Sequence, residues 1–217
     1  MTDERYEFEG LPLNGLRPGT TILVSGPTHV GTRDLGLRML VGPDGDGAIV
    51  VTTNQRARRI ADACQRVGLT LTNSSTAILD CVGDEDSGVP ARVLPVSSPS
   101  DLTGIGMRYS DVYRGFERND LDRVRTGLFS LSTLLSFGDL KTVSRFVHTL
   151  IGRIDSVDGI GMLLIDPAIH DEQTIRTLSQ FCAGRVEVRE GDEGPELRVR
   201  GLPDQPREWQ AFSPTPE

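Results

Sequence analysis

Short apolar runs alternate along this sequence with longer stretches whose apolar residues recur at helical spacing, and that alternation limits the chain to few architectures. TTILV (20–24), GAIVVTTN (47–54), TAILDCVG (76–83), the first half of VRTGLFSLSTLL (124–135) and GIGMLLIDP (159–167) read as strands, with ARVLPVSS (91–98) as a shorter one. Helices are expected between them: LGLRMLV (35–41), QRARRIADACQRVG (55–68), a segment running from an N-cap at Ser100 or Asp101, DLKTVSRFVHTLIGRID (139–155), and HDEQTIRTLSQFCAG (170–184), capped at its end by Gly184. The 139–155 segment carries Val143, Phe146, Val147, Leu150 and Ile151 as one apolar stripe. RVEVRE and ELRVRG alternate in the β manner around the turn GDEGP. Strands alternating with helices predict an α/β domain, a mostly parallel sheet covered on both faces with an antiparallel edge hairpin near the C-terminus. At 217 residues the chain can bury a core without disulfides or metals. Residues 1–202 are expected to form this single domain and 203–217 a Pro-rich mobile tail.

Composition narrows the classes of function. The net charge is −8, and of 23 basic residues only Lys141 is a lysine. Such a surface repels nucleic-acid phosphates unless a local basic patch overrides it, so nucleic acid is not the expected partner. Acidic, lysine-poor composition resembles that of proteins from salt-loving archaea, and a GC-rich genome that favours Arg over Lys gives the same pattern. The longest apolar runs fall far short of the ~20 residues needed to span a bilayer, and the acidic start MTDERYEFEG is unlike a signal peptide, so a cytoplasmic protein with no membrane partner is expected. Cys64, Cys81 and Cys182 are odd in number and widely spaced, which suggests buried reduced thiols rather than a disulfide framework or zinc site. DEDSGVP (84–90) reads as a solvated loop.

The first strand runs into SGPTHVGTRD, Ser25 to Asp34. A phosphate-binding loop has the form G-x-x-x-x-G-K-[ST]: backbone amides cradle the phosphates, the Lys neutralises them and the hydroxyl holds Mg²⁺. Gly26 and Gly31 keep that spacing, but Thr32 stands at the Lys position and Arg33 at the Ser/Thr position. With the one lysine more than a hundred residues away, no small shift of alignment restores it. Gly26, Pro27, Thr28, His29, Val30, Gly31, Thr32 and Arg33 are therefore candidate ligand-binding residues of an altered loop, whose amides and helix dipole outlast side-chain changes. The simpler alternative is that the glycines serve the strand-to-helix turn and Arg33 faces water.

Beyond the loop, the order of elements and three stretches resemble the RecA-like P-loop ATPase superfamily, and within it the KaiC-like archaeal proteins. The stretches are GLRPGTTILVSGPTHVGT, SLSTLLSFGDLKTVSRFVHTLIGRI and LLIDPAIHDEQTIRTLSQFCAGRVEV, and together they cover roughly residues 11–200. The resemblance implies a three-layer RecA-like sheet, ATP and Mg²⁺ in the functional members, and assembly into dimers or rings. It also places Asn54 and Gln55 where the family carries its catalytic Glu, and Phe129 at the Walker B carboxylate. Phosphoryl transfer depends on Lys, Mg²⁺ and an acid that arranges water. With all three replaced, the expectation is a non-catalytic pseudo-ATPase with no cofactor, regulatory or scaffolding in an archaeal cytoplasm, self-associating or paired with an active KaiC-like paralogue.

The alternative is an ATP-binding ATPase in which Arg33 or Arg38 substitutes for Lys and Asp166 holds Mg²⁺. It predicts Arg33 and Asp166 in one pocket. Otherwise Asp166 caps the Pro-led turn or the helix that follows it. His29 can fill space vacated by phosphate or, when protonated, contact an anion, His148 is expected to pack in the core, and His170 to lie at the surface. The three have no ligand spacing, so no metal site is expected.

Overall fold

The computed structural model describes residues 5–83, 88–121 and 123–216. Nine strands form one sheet: β1 (Thr21–Ser25), β2 (Gly47–Thr52), β3 (Thr76–Asp80), β4 (Arg92–Pro95), β5 (Val124–Phe129), β6 (Ile160–Ile165), β7 (Gly184–Gly191), β8 (Gly194–Arg200) and β9 (Gln210–Ala211). Their order is β4-β3-β2-β5-β6-β1-β7-β8-β9. Pairing is parallel from β4 through β7 and antiparallel for β7–β8 and β8–β9. The helices are α1 (Thr32–Arg38), α2 (Ala57–Arg66), α3 (Leu102–Glu117), α4 (Leu131–Phe137), α5 (Leu140–Asp155) and α6 (Glu172–Ser179). This is the expected α/β architecture with an antiparallel C-terminal edge.

The period of two along each strand sorts its side chains into two cores. Ile22 and Val24 of β1, with Ile160, Met162 and Leu164 of β6, pack with Leu35 of α1 and Ile60 of α2. Leu23, Leu163 and Ile165 point the other way, into a core shared with Tyr109 of α3, Val147 and Leu150 of α5 and Leu178 of α6. Both faces are covered, which is why the central strands are continuous apolar runs.

Helix starts follow their caps. Asp101, Asp139 and Asp171 each accept a hydrogen bond from a backbone N–H three residues on, opening α3, α5 and α6. Asp80, 1% exposed at the end of β3, accepts from Ala57 N of α2 at 2.7 Å and from Val82 N and Gly83 N at 2.8 and 2.9 Å.

Three expectations need correction. Gly184 does not cap α6, which ends at Ser179; it opens β7, where a Cβ would meet Leu202 at 2.6 Å. His148 is exposed on α5, its ring 5.7 Å from that of Phe181, because the buried stripe of the helix is Val143, Val147, Leu150 and Ile154. The Pro-rich segment expected as a mobile tail instead runs along the domain. Gln205 exchanges two hydrogen bonds with the Asn14 backbone, Pro206 O accepts from Val199 N, and Phe212 is 7% exposed. Trp209 takes the guanidinium groups of Arg189 and Arg198 at 4.2 and 4.3 Å from its ring centre. The 84–90 loop falls partly outside the described residues.

Candidate functional site

After β1 the chain turns at Gly26, whose N–H donates to Ile165 O of β6 at 3.2 Å. Thr28–Val30 form a single 3₁₀ turn that drops Val30 into the core, and Gly31 at φ 82° redirects the chain into α1. A Cβ at Gly26 would stand 2.6 Å from Thr32 Oγ1 and 2.7 Å from Val188, so packing alone demands glycine there. At Gly31 it would meet Pro214 at 2.8 Å. The C-terminal segment therefore lies against the loop.

Beside this turn the C-terminal ends of β1, β5 and β6 border a cleft with about 340 Å³ of empty space. Gly26, Thr28, Thr32 and Arg33 line it from the loop, Asn54 from the end of β2, Phe129 and Ser130 from β5, and Asp166 from the end of β6. Most of that space is open to solvent; the cavity itself measures about 30 Å³, room for water rather than for a small molecule. Of the eight loop residues, Pro27, His29, Val30 and Gly31 do not line the cleft. His29 is exposed and leaves the phosphate space unfilled.

Thr32 is 3% exposed and donates through its hydroxyl to Pro27 O at 2.7 Å, closing the loop on itself. Phe129, 1% exposed, contributes an apolar ring at the end of β5, and its peptide bond to Ser130 is cis. Thr53 ties β2 to this point: its hydroxyl donates to Phe129 O at 2.9 Å and accepts from Ser130 N at 2.7 Å.

Arg33 and Asp166 supply the charges of the cleft. Burial pulls the Arg33 guanidinium below its ordinary pKa, with Asp34 raising it and Arg59 lowering it further. Arg33 does not simply face water. Asp166 Oδ1 accepts from Ala168 N at 2.9 Å, capping the Pro167–Ile169 turn, and Oδ2 accepts from the Thr28 hydroxyl at 3.4 Å. Its backbone N–H donates to Ser132 Oγ at 3.0 Å. Arg38 is elsewhere: 8% exposed at the end of α1, it donates to the carbonyls of Glu9, Gly10 and Ser213, and so cannot serve the loop.

Sequence reasoning missed Thr53 and Ser130: the Thr53 hydroxyl bonds the backbone of Phe129 and Ser130 and so joins two strand ends far apart in sequence. Pro214 was missed too, although the aromatic pair Trp209 and Phe212 in the tail was a signal that the segment packs. His170 is half-buried, and its Nε2 is buried without a hydrogen-bond partner. Cys64 and Cys81 are buried and Cys182 partly so, and burial pushes each thiol up to about 12. Among the described residues no group of three or more His, Cys, Asp or Glu side chains is arranged to hold a metal, and no helix is long and apolar enough to cross a membrane.

Solved structures share this architecture. A KaiC-like protein from the hyperthermophilic archaeon Pyrococcus horikoshii superposes with a TM-score of 0.61 at 14% identity, over 95% of this chain and 92% of that one. An uncharacterized protein from Pyrococcus horikoshii, solved in complex with an unknown peptide, superposes with a TM-score of 0.65 at 14% identity, over 86% of this chain and 84% of that one. At that identity the likeness shows the fold alone, which is KaiC-like and RecA-like. No curated protein matches the sequence. A family model described as a family of unknown function, DUF7504, matches residues 19–188. With most of its length inside that match, the chain belongs to the family of unknown function DUF7504.

Proposed function

We propose that this chain is a non-catalytic, KaiC-like protein that regulates or scaffolds other proteins in an archaeal cytoplasm, in signalling or transcriptional control. The observation that carries the reading is Thr32. At the position where the motif needs an ammonium, a buried hydroxyl folds inward onto Pro27 O. A triphosphate with Mg²⁺ does not fit these residues: Thr32 brings no ammonium, Pro214 lies on Gly31, and Phe129 offers no carboxylate. The transition-state charge that Lys and metal would stabilise has no counterpart.

The acidic, lysine-poor composition supports a haloarchaeal setting. A protein partner, either a second copy or an active KaiC-like paralogue, agrees with a fold retained without its chemistry, and one neighbour of this fold was solved with a peptide bound. Titration calorimetry with ATP and Mg²⁺ at high salt tests the reading. No saturable heat and no phosphate release are expected; micromolar binding accompanied by hydrolysis overturns it.

One observation favours the second reading, a nucleotide enzyme built on relocated groups: Arg33 and Asp166 do line the same cleft. That reading requires wild-type binding that disappears in both Arg33→Ala and Asp166→Ala.

A further inference from the structure

A groove open to solvent, with about 900 Å³ of empty space, runs between α3 and α5, away from the cleft. One wall is α5, which presents Thr142, Arg145, Phe146, Thr149, Leu150 and Arg153. Their spacing of three and four residues puts them on one side of the helix over three turns, about 17 Å. The facing wall is the first half of α3, where Leu102, Gly106 and Met107 line the groove. Arg153 crosses to α3 there, where its Nη1 donates to Gly106 O and, at 3.1 Å, to Ser110 Oγ. Arg153 thus closes one end as a fixed guanidinium.

Two properties set this groove apart. It is apolar where a soluble surface has no need to be: Met107 is 63% exposed, and a flexible thioether is suited to fitting an incoming apolar face. It is also basic in an acidic protein. No carboxylate lines it, Arg145 and Lys141 one turn earlier are exposed, and neither forms an ion pair among the described residues, whereas the chain as a whole carries −8. An apolar floor, free cations on one bank and a length of three turns match an amphipathic helix laid into a groove.

We propose that the α3–α5 groove docks an acidic amphipathic helix of a partner protein. The helix sets its apolar side on Met107 and Phe146 and reaches Arg145 and Lys141 with its carboxylates. Charge complementarity selects an acidic occupant and steers its approach. The proposal names the chemistry of a partner and stands whether or not the Gly26–Gly31 turn binds nucleotide.

The test is fluorescence polarisation of the full chain with a labelled synthetic helix of about sixteen residues, Leu and Met on one face and Glu on the other. A counterpart with Lys for Glu serves as the control peptide. Saturable micromolar binding of the acidic peptide is expected, weakened by salt, with at least a tenfold loss in Met107→Glu and in Arg145→Glu and no loss in Arg58→Glu on the opposite face of the sheet. All three positions are exposed, so circular dichroism should report unchanged folding. Four outcomes overturn the proposal: no saturable binding, equal binding of the Lys peptide, indifference to both groove variants, or sedimentation showing a dimer that Met107→Glu dissolves, which would assign the groove to a second copy.

Discussion

The two ends of β5 treat charge in opposite ways. At its start Arg125 is fully buried, yet Nε meets Asp46 Oδ2 at 2.8 Å, Nη1 donates to Glu7 O and Met39 O at 3.1 and 3.2 Å, and the Tyr6 and Phe8 rings lie 5.2 and 5.7 Å from the guanidinium carbon. Arg123 adds a second cation to Asp46 at 3.3 Å. At the other end, beside the Gly26–Gly31 turn, Phe129 is as deeply buried and carries no charge. The sheet can hold an ion inside, but only where a set of partners is folded around it. Next to the cleft that set is missing, and an aromatic ring with hydroxyl ties from Thr53 takes the space.

The largest expected effects test this contrast. Arg125→Ala takes the nearer of two cations from Asp46, leaves the Glu7 and Met39 carbonyls without their donor and removes packing, and should cost about 3–5 kcal/mol in urea unfolding at high salt. Phe129→Asp should cost a similar amount, about 3–5 kcal/mol, because it buries a carboxylate without a guanidinium. If Phe129→Asp unfolds at the wild-type midpoint, the comparison fails. Next in size is Asp80→Ala, which leaves three backbone N–H groups without their acceptor and should cost about 2–4 kcal/mol, read from the same unfolding curves.

Phe212→Ala should cost about 2 kcal/mol, less than a central core truncation because the residue lies at the margin, and should speed proteolysis within residues 203–216. The smallest effect concerns pH. Burial alone would raise the Glu187 carboxyl, but hydrogen bonds from Arg198 and Arg200 and the nearby Arg185 outweigh it and hold the pKa below the usual glutamate value. A depressed folded pKa contributes stability above the unfolded pKa and loses it as pH falls through the folded one. Glu187→Gln should flatten that acid limb and lower the neutral plateau by about 1 kcal/mol or less, seen in thermal melts across pH.

How much could be read beforehand depended on whether a feature is local. Strands and helices announced themselves through periods of two and 3.6, and Gly26 and Gly31 marked the turn that borders the cleft. Partners from distant segments left no mark. TAILD and MLLID are the same local pattern, an apolar run ending in Asp, and at both ends the carboxylate accepts from backbone N–H groups. Nothing in TAILD tells that α2 starts beside it. His148 follows Val147 directly, yet about 100° of helical rotation carries it out of the core. Proline content suggested a loose tail, but two arginines reach Trp209 from a neighbouring hairpin.

Residues 206–216 also act as a guard rail. β8 would otherwise present unpaired amides and carbonyls to any passing strand, and β9, Pro206 and Phe212 take up several of them. A chain shortened at Leu202 would keep every residue of the cleft and still be a poor reagent, since its bare margin would recruit other molecules into mixed sheets. The segment that looks most expendable on paper covers a sheet edge that would otherwise invite pairing.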